Sequence, residues 1–242
     1  MNTISAAGRI FCAIDTAKFD DALRLAEGLA GAVGGVKLGK EFFTAHGPEG
    51  VARLAATGHR IFLDLKFHDI PNTVAGAVRA AAALGCAMLT VHASGGGAML
   101  RAAVAAADEA GEGRPAILAV TVLTSLEDED LFEVGQAGPV SGQVSRLGAL
   151  AGLCDVDGLV ASPLEVAALR RELGKDMTLV VPGVRPRWAD DDDQKRVMTP
   201  AEALAAGADY LVIGRPITRA DDPPAAARRI VEDIAKADGP GG

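Results

Sequence analysis

The chain has 242 residues, 49% hydrophobic and 23% charged, enough apolar material for a large core beneath a soluble surface. Its formal charge of −8 at pH 7 argues against a nucleic-acid binder, which needs a basic stripe to neutralise phosphates. Cys12, Cys86 and Cys154 form no CxxC and leave an odd count, which predicts reduced thiols of a cytoplasmic protein and no disulfide framework.

In chain order, no basic region followed by a long apolar stretch opens the sequence, so no signal peptide is expected. Short aliphatic or β-branched runs then recur at Arg9–Ile14, Gly35–Leu38, Arg60–Leu65, Ala87–Val91, Ala116–Val122, Gly158–Ala161, Thr178–Val181 and Tyr210–Ile213. Each is followed by a stretch of helical character, as at Asp20–Leu29, Pro48–Ala56, Asn72–Leu84, Ala98–Glu109, Pro163–Leu173 and Pro224–Ala237. The uncharged run Ala80–Leu100 contains His92, Ser94 and three consecutive glycines, and reads as helix end, strand and turn, not as a membrane span. Strands alternating with helices imply a parallel sheet with right-handed crossovers. Eight such units, in a chain near the ~250 residues usual for the fold, predict a single (β/α)8 TIM barrel. No linker interrupts the series, so residues 1–242 are expected to form one catalytic domain.

A (β/α)8 barrel carries its chemistry at the C-terminal ends of the strands, so polar residues there are read as functional first. Ile14 is followed by Asp15, Val36 by Lys37, and Leu63 by Asp64 and Lys66. Within Phe62–Thr73, alternation in a regular strand would point Asp64 and Lys66 to one face and Leu63 and Leu65 to the other. Their Cα atoms would lie ~6.5 Å apart, close enough for both side chains to converge on one atom. Pro71 opens a helix, which leaves Asp69 on the connecting loop. Taken alone, this spacing leaves open an ordinary strand carrying a structural ion pair.

Read with Val36-Lys37-Leu38-Gly39, the string Asp64–Thr73 resembles the signature of the orotidine 5′-phosphate decarboxylases. The resemblance extends over nearly the whole chain, through Asp15, Val91–Gly96, Leu123-Thr124-Ser125, Pro182–Pro186, Asp193–Val197, Thr199-Pro200 and Ile213-Gly214-Arg215. It implies a homodimeric, cytoplasmic, cofactor-free and metal-free carboxy-lyase. Such an enzyme turns orotidine 5′-monophosphate into uridine 5′-monophosphate, the last step of de novo pyrimidine nucleotide synthesis. The family's alternating Lys-Asp-Lys-Asp array maps onto Lys37, Asp64, Lys66 and Asp69, with Asp69 lent by the partner subunit. Lys66 is then the cation held at C6 that protonates it, and Asp64 crowds the substrate carboxylate.

The resemblance also implies a binding set. Asp15 and Lys37 meet the ribose hydroxyls, Thr124 positions the pyrimidine ring, and Ile70 and Thr73 reach the neighbouring subunit's ligand. Gly214 and Arg215 follow the eighth strand, where many barrels hold phosphate, and a guanidinium fork suits phosphate oxygens. Arg185 and Gln194 lie on the long loop after strand seven, which in the family closes over the nucleotide. That loop departs from the family pattern in Pro186–Asp193, where glycines are common; Trp188 and the acidic run are expected to form a solvated loop tip.

The four histidines show no ligand spacing for a metal, and His68 is expected to pack or hydrogen-bond. No G-x-S-x-G elbow, P-loop or dinucleotide fingerprint is present in its required context. Two other readings remain. A sister barrel lyase would use Mg2+ with the same Asp-x-Lys-x-x-Asp core, but an acidic residue stands there where this chain has Lys37. A non-catalytic phosphate-binding barrel would carry four clustered charges for no catalytic return.

Overall fold

The computed structural model describes residues 4–189 and 198–237. A turn of 3₁₀ helix at Ala7–Arg9 leads into β1 (Ile10–Ile14), α1 (Phe19–Gly28), β2 (Gly35–Gly39), α2 (Lys40–Ala55), β3 (Arg60–Phe67) and α3 (Pro71–Ala82). β4 (Met88–His92), α4 (Gly96–Asp108), β5 (Ala116–Val120), α5 (Asp128–Glu133) and α6 (Val140–Gly152) follow. β6 (Gly158–Val160), α7 (Val166–Leu173), β7 (Thr178–Pro182), α8 (Pro200–Ala205), β8 (Tyr210–Ile213), α9 (Arg215–Thr218) and α10 (Pro223–Ala237) complete the chain order. The eight strands close in sequence order into a barrel of parallel pairs, with β1 returning to β8 through Ile10–Leu211, Phe11–Val212 and Cys12–Ile213. The predicted (β/α)8 barrel is therefore the observed one. No helix among the described residues is long and apolar enough to cross a membrane.

The strands are apolar on both faces because both faces are covered. Outward residues such as Ile10, Cys12, Ile14, Leu63 and Leu89 join the helices in one continuous core. Inward residues Phe11, Ala13, Phe62, Met88, Leu118, Val180 and Val212 form a second cluster that plugs the barrel. The plug is aromatic on one side, where Phe11 meets Phe62 and Tyr210 edge-on at centroid distances of 5.8 and 5.7 Å. Gly35 makes room for it: a Cβ there would stand 2.5 Å from the Phe11 ring and 2.5 Å from the Arg60 carbonyl oxygen.

Several boundaries differ from the sequence reading. The first strand begins at Ile10, not Arg9, because Ala7–Arg9 is a 3₁₀ turn. The fifth ends at Val120, short of Val122. The second helix begins at Lys40, ahead of Pro48, and kinks at Gly47, whose φ of 57° only glycine adopts readily. Gly47 is itself non-helical, so the helix read from Pro48 is present as the second arm, and the sequence reading lacked the arm 40–46 ahead of it. The third strand runs on to Phe67, past a shift in its pairing with β4.

The end of the barrel where the strands begin is held by a device used twice. Asp157, just before β6, accepts the Ile117 N–H of β5 at 2.7 Å and two bonds from Arg114 at 2.8 Å. Asp209, just before β8, accepts the Leu179 N–H of β7 at 2.8 Å and Arg170 at 2.6 Å. Arg170 also donates to the carbonyls of Gly174, Met177 and Gly207, tying α7, β7 and β8 together. Arg170→Ala should therefore lower the unfolding free energy by about 2 kcal/mol, less than the range for a fully buried pair because the Asp209 side chain is 37% exposed. Urea unfolding should show this as a lower midpoint at unchanged slope; a loss below about 0.5 kcal/mol would mean that water replaces the clamp.

Candidate active site

The charged residues stand on the inner face immediately above the plug. Lys37 and Asp64 follow inward neighbours on β2 and β3, and registers Ala13–Lys37 and Gly39–Asp64 align the three strands. Asp64 is the centre. Its Oδ1 lies 2.7 Å from Lys66 Nζ, and its Oδ2 lies 3.5 Å from Lys37 Nζ. Lys37 Nζ is also 3.4 Å from Asp15 Oδ1, so charge alternates from β1 to β3. The Asp64 and Lys37 side chains are only 12% and 10% exposed, whereas Asp15 is 59% exposed and faces the opening.

Burial by itself would raise the Asp64 carboxyl. The Lys37 and Lys66 ammonium groups, with hydrogen bonds from Lys66 and Thr90, outweigh it and hold the carboxyl below its ordinary range. Beneath the cluster the Cys12 thiol is pushed up to about 12, by burial first and by Asp15 second, against a smaller opposing effect of Lys37. A thiol so protonated is no nucleophile at neutral pH.

Lys66 does not reach the site by simple strand alternation. Leu63 and Leu65 do face outward into the core. Lys66, however, has a φ of 54°, a left-handed conformation unusual for a residue with a Cβ, at a bulge in β3. A regular strand was the expectation; the bulge re-aims the ammonium. His68 follows the strand's end and packs its ring 5.4 Å from that of His92.

A cavity of about 420 Å³ opens above the cluster. Asp15, Lys37, Asp64 and Lys66 line one side, Val120, Val160 and Val212 the floor, and Thr124, Arg185, Gly214 and Arg215 the rest of the wall. Gly214 caps α9 and Arg215 is its first residue. Eight of the residues expected at a site thus converge. Asp69, Ile70 and Thr73 do not line this cavity. Asp69 Oδ1 accepts the Ile70 N–H at 2.6 Å, and Ile70 is 66% exposed. Gln194 lies outside the described residues, as does the acidic run 190–193. A second groove of about 560 Å³ lies outside the barrel between α1 and α10, and shares only Asp15 with the first. Its Arg24 is already paired with Asp21.

The expectation of a solvated tip at Trp188 is corrected. Trp188 is half-buried against the core, donates Nε1–H to Asp233 of α10 at 3.0 Å, and lies under the Arg229 guanidinium at 4.4 Å. The Arg185 N–H donates to the Met198 carbonyl at 3.0 Å, which joins the two ends of the loop. Thr90 was missed. It is fully buried, accepts the Lys66 N–H at 2.9 Å and donates to Asp64 Oδ1 at 3.0 Å. Its place two residues before His92 on an alternating strand was the available signal.

Residues 8–230 match the family described as "Orotidine 5'-phosphate decarboxylase / HUMPS family". An orotidine 5'-phosphate decarboxylase of Paramagnetospirillum magneticum is 54% identical over 229 residues, 93% of this chain and 97% of the relative. That of Rhodospirillum rubrum is 55% identical over 230 residues, 93% of each. The crystal structure of orotidine 5'-phosphate decarboxylase from Lactobacillus acidophilus superposes with a TM-score of 0.83 at 36% identity, covering 93% of this chain and 98% of that one.

The site's electrostatics predict a pH dependence. Burial, then the electrostatic effects of His68, Lys66 and Lys40, lowers the His92 pKa from 6.5 to about 4, against a smaller opposing effect of Asp64. Between those values the unfolded chain binds a proton that the folded chain refuses, so stability is lost as pH falls through this window. His92→Gln should flatten that part of the stability–pH curve. NMR titration should find the wild-type ring neutral down to about pH 4; a midpoint near 6.5 would refute the assignment.

Proposed function

The chain belongs to the orotidine 5′-phosphate decarboxylase / HUMPS family, and we propose that it is a cofactor-free orotidine 5′-phosphate decarboxylase of pyrimidine biosynthesis. One observation carries the reading: the Lys66 ammonium stands 2.7 Å from Asp64, whose other oxygen faces Lys37 at 3.5 Å, in a cavity that Arg185 and Arg215 also line. In the Mg2+-dependent alternative a metal would need anionic ligands beside Asp64. Here two ammonium groups flank that carboxylate, which favours the metal-free reading.

The chemistry uses each group. The bond between C6 of the pyrimidine and its carboxylate breaks, CO2 leaves, and the electron pair stays on C6. No adjacent carbonyl accepts that pair as an ordinary enolate, so a fixed cation at C6 is worth more in the transition state than before it. Lys66 supplies that cation and transfers its proton to C6, and solvent reprotonates the resulting amine. Lys37 holds Asp64 and, with Asp15, takes the ribose hydroxyls. Asp64 stands beside the substrate carboxylate. Thr124 positions the ring. Arg215, Gly214 and Arg185, with Gln194, hold the remote phosphate, whose binding energy supports orientation at the reacting carbon. The substrate is a small nucleotide, and the −8 charge is unsuited to nucleic acid.

The active unit in this reading is a cytoplasmic homodimer of one barrel domain per chain, residues 1–242. Asp69, Ile70 and Thr73 do not line their own chain's cavity, and the exposed Ile70 side chain is suited to burial in an interface. Each chain lends its Asp69 to the other's site, as two-fold symmetry makes reciprocal.

A spectrophotometric assay with orotidine 5′-monophosphate, with and without chelator, tests the reading. Turnover should be present in both, and Lys66→Ala should reduce the chemical step by many orders of magnitude in a folded protein. A well-folded sample without turnover defeats the assignment; Lys66→Ala retaining a tenth of wild-type activity defeats the role of proton donor.

The shared site has its own test. Lys66→Ala and Asp69→Asn chains, unfolded together and refolded, should form mixed dimers in which one site carries both lesions and the other neither. About a quarter of all sites then regain full activity. Mixed dimers present without regained activity would place Asp69 in its own chain's site.

A further inference from the structure

β3 stops being a regular strand at Lys66. Pairing with β4 runs through Phe62–Met88 and Leu63–Leu89 and resumes at Phe67–Val91. Between the last two pairings β3 advances from 63 to 67 while β4 advances only from 89 to 91. The excess chain includes Lys66 at φ 54°, a conformation that a residue with a Cβ keeps only where its surroundings over-determine it.

Those surroundings include one buried hydroxyl. A bulge takes backbone groups off the ladder, and the Lys66 N–H instead donates to Thr90 Oγ1 at 2.9 Å. The same hydroxyl donates its proton to Asp64 Oδ1 at 3.0 Å. That oxygen also accepts from Lys66 Nζ at 2.7 Å. The three bonds close a ring from the Lys66 backbone through Thr90 and Asp64 to the Lys66 ammonium. A threonine hydroxyl has one proton and spare acceptor capacity, and both are committed. Thr90 has 0% exposure and is not among the residues lining the cavity, so its effect on bound substrate passes through Lys66 and Asp64.

We propose that Thr90 is a positioning residue for the decarboxylation: its hydroxyl holds the left-handed turn that aims the Lys66 ammonium into the cavity and keeps Asp64 within reach of both lysines. This rests on Lys66 being the proton donor, as set out above. A threonine needed only for packing would be replaced by valine without loss, since the two have nearly the same shape. Valine removes the acceptor for the Lys66 N–H and the donor to Asp64 together. Misplacement by about an ångström costs on the order of 100-fold in rate.

Thr90→Val should lower kcat for orotidine 5′-monophosphate by about 10- to 100-fold with KM within about threefold, because the phosphate and ribose contacts remain. Thr90→Ser, which restores the hydroxyl in a smaller side chain, should recover kcat to within about threefold of wild type. Thr90→Val with kcat within about twofold of wild type overturns the proposal, as does an equal loss in the serine and valine variants. If melting curves show that the valine variant does not fold, Thr90→Ser against Thr90→Ala makes the same comparison, and equal rates for those two overturn it. A crystal structure of a hydroxyl-free variant separates this inference from the assigned reaction. Lys66 should leave its left-handed conformation and its bond to Asp64; if both persist, the ring does not depend on Thr90, whatever the turnover. Wild-type protein that binds but never decarboxylates the nucleotide would defeat the assigned reaction and leave that structural result standing.

Discussion

Two ammonium groups at the top of this barrel share one carboxylate, and much of the site's order follows from that. An isolated buried charge is strongly penalised, so Lys37, Asp64 and Lys66 are tolerable only together and only in good geometry. Asp64 satisfies both lysines, one through each oxygen, and Asp15 balances Lys37 from the more exposed side. Removing Asp64 would leave two like charges facing each other across the strands. The same mutual dependence keeps the groups in place before any substrate arrives, which is the condition for electrostatic stabilisation without reorganisation.

The cluster depends in turn on what lies beneath it. The apolar plug gives the ammonium groups a low-dielectric floor, where their fields are stronger than in water. Gly35 admits the Phe11 ring, and Phe62, in the Phe11 cluster, sits one inward position below Asp64. At the opposite end the paired clamps Arg114–Asp157 and Arg170–Asp209 tie neighbouring strands to each other. Polar groups at one end hold the barrel closed and those at the other line the cavity, the division expected of this architecture.

The loop after β7 is anchored by the same logic. Its two ends meet where the Arg185 N–H reaches Met198, and Trp188 is secured to α10 by a hydrogen bond and a cation above its ring. Arg185 is therefore carried on a fastened root beside the cavity. An aromatic side chain next to a run of acids has the composition of a solvated tip. What draws Trp188 inward is the face of a helix that begins 35 residues later, where Asp233 and Arg229 offer it partners.

Strand and helix order, closure into a barrel and the placing of Asp15, Lys37, Asp64 and Arg215 at strand ends were all legible in the sequence, because each depends on short-range periodicity and on a rule about which end of a barrel is polar. The bulge at Lys66 was not. Alternation predicts only that Asp64 and Lys66 share a face; whether the strand stays regular between them depends on a hydroxyl 24 residues away on the neighbouring strand. The arm of α2 ahead of Gly47 also escaped, whereas the break at Gly47-Pro48 stands where the sequence reading starts its helix. The sequence by itself determined which groups are available and on which strand each rides. The tertiary structure decided which of them touch, and left Asp69 off the wall of its own chain's cavity, because contact between side chains of different strands is set by register and by the packing that fixes it.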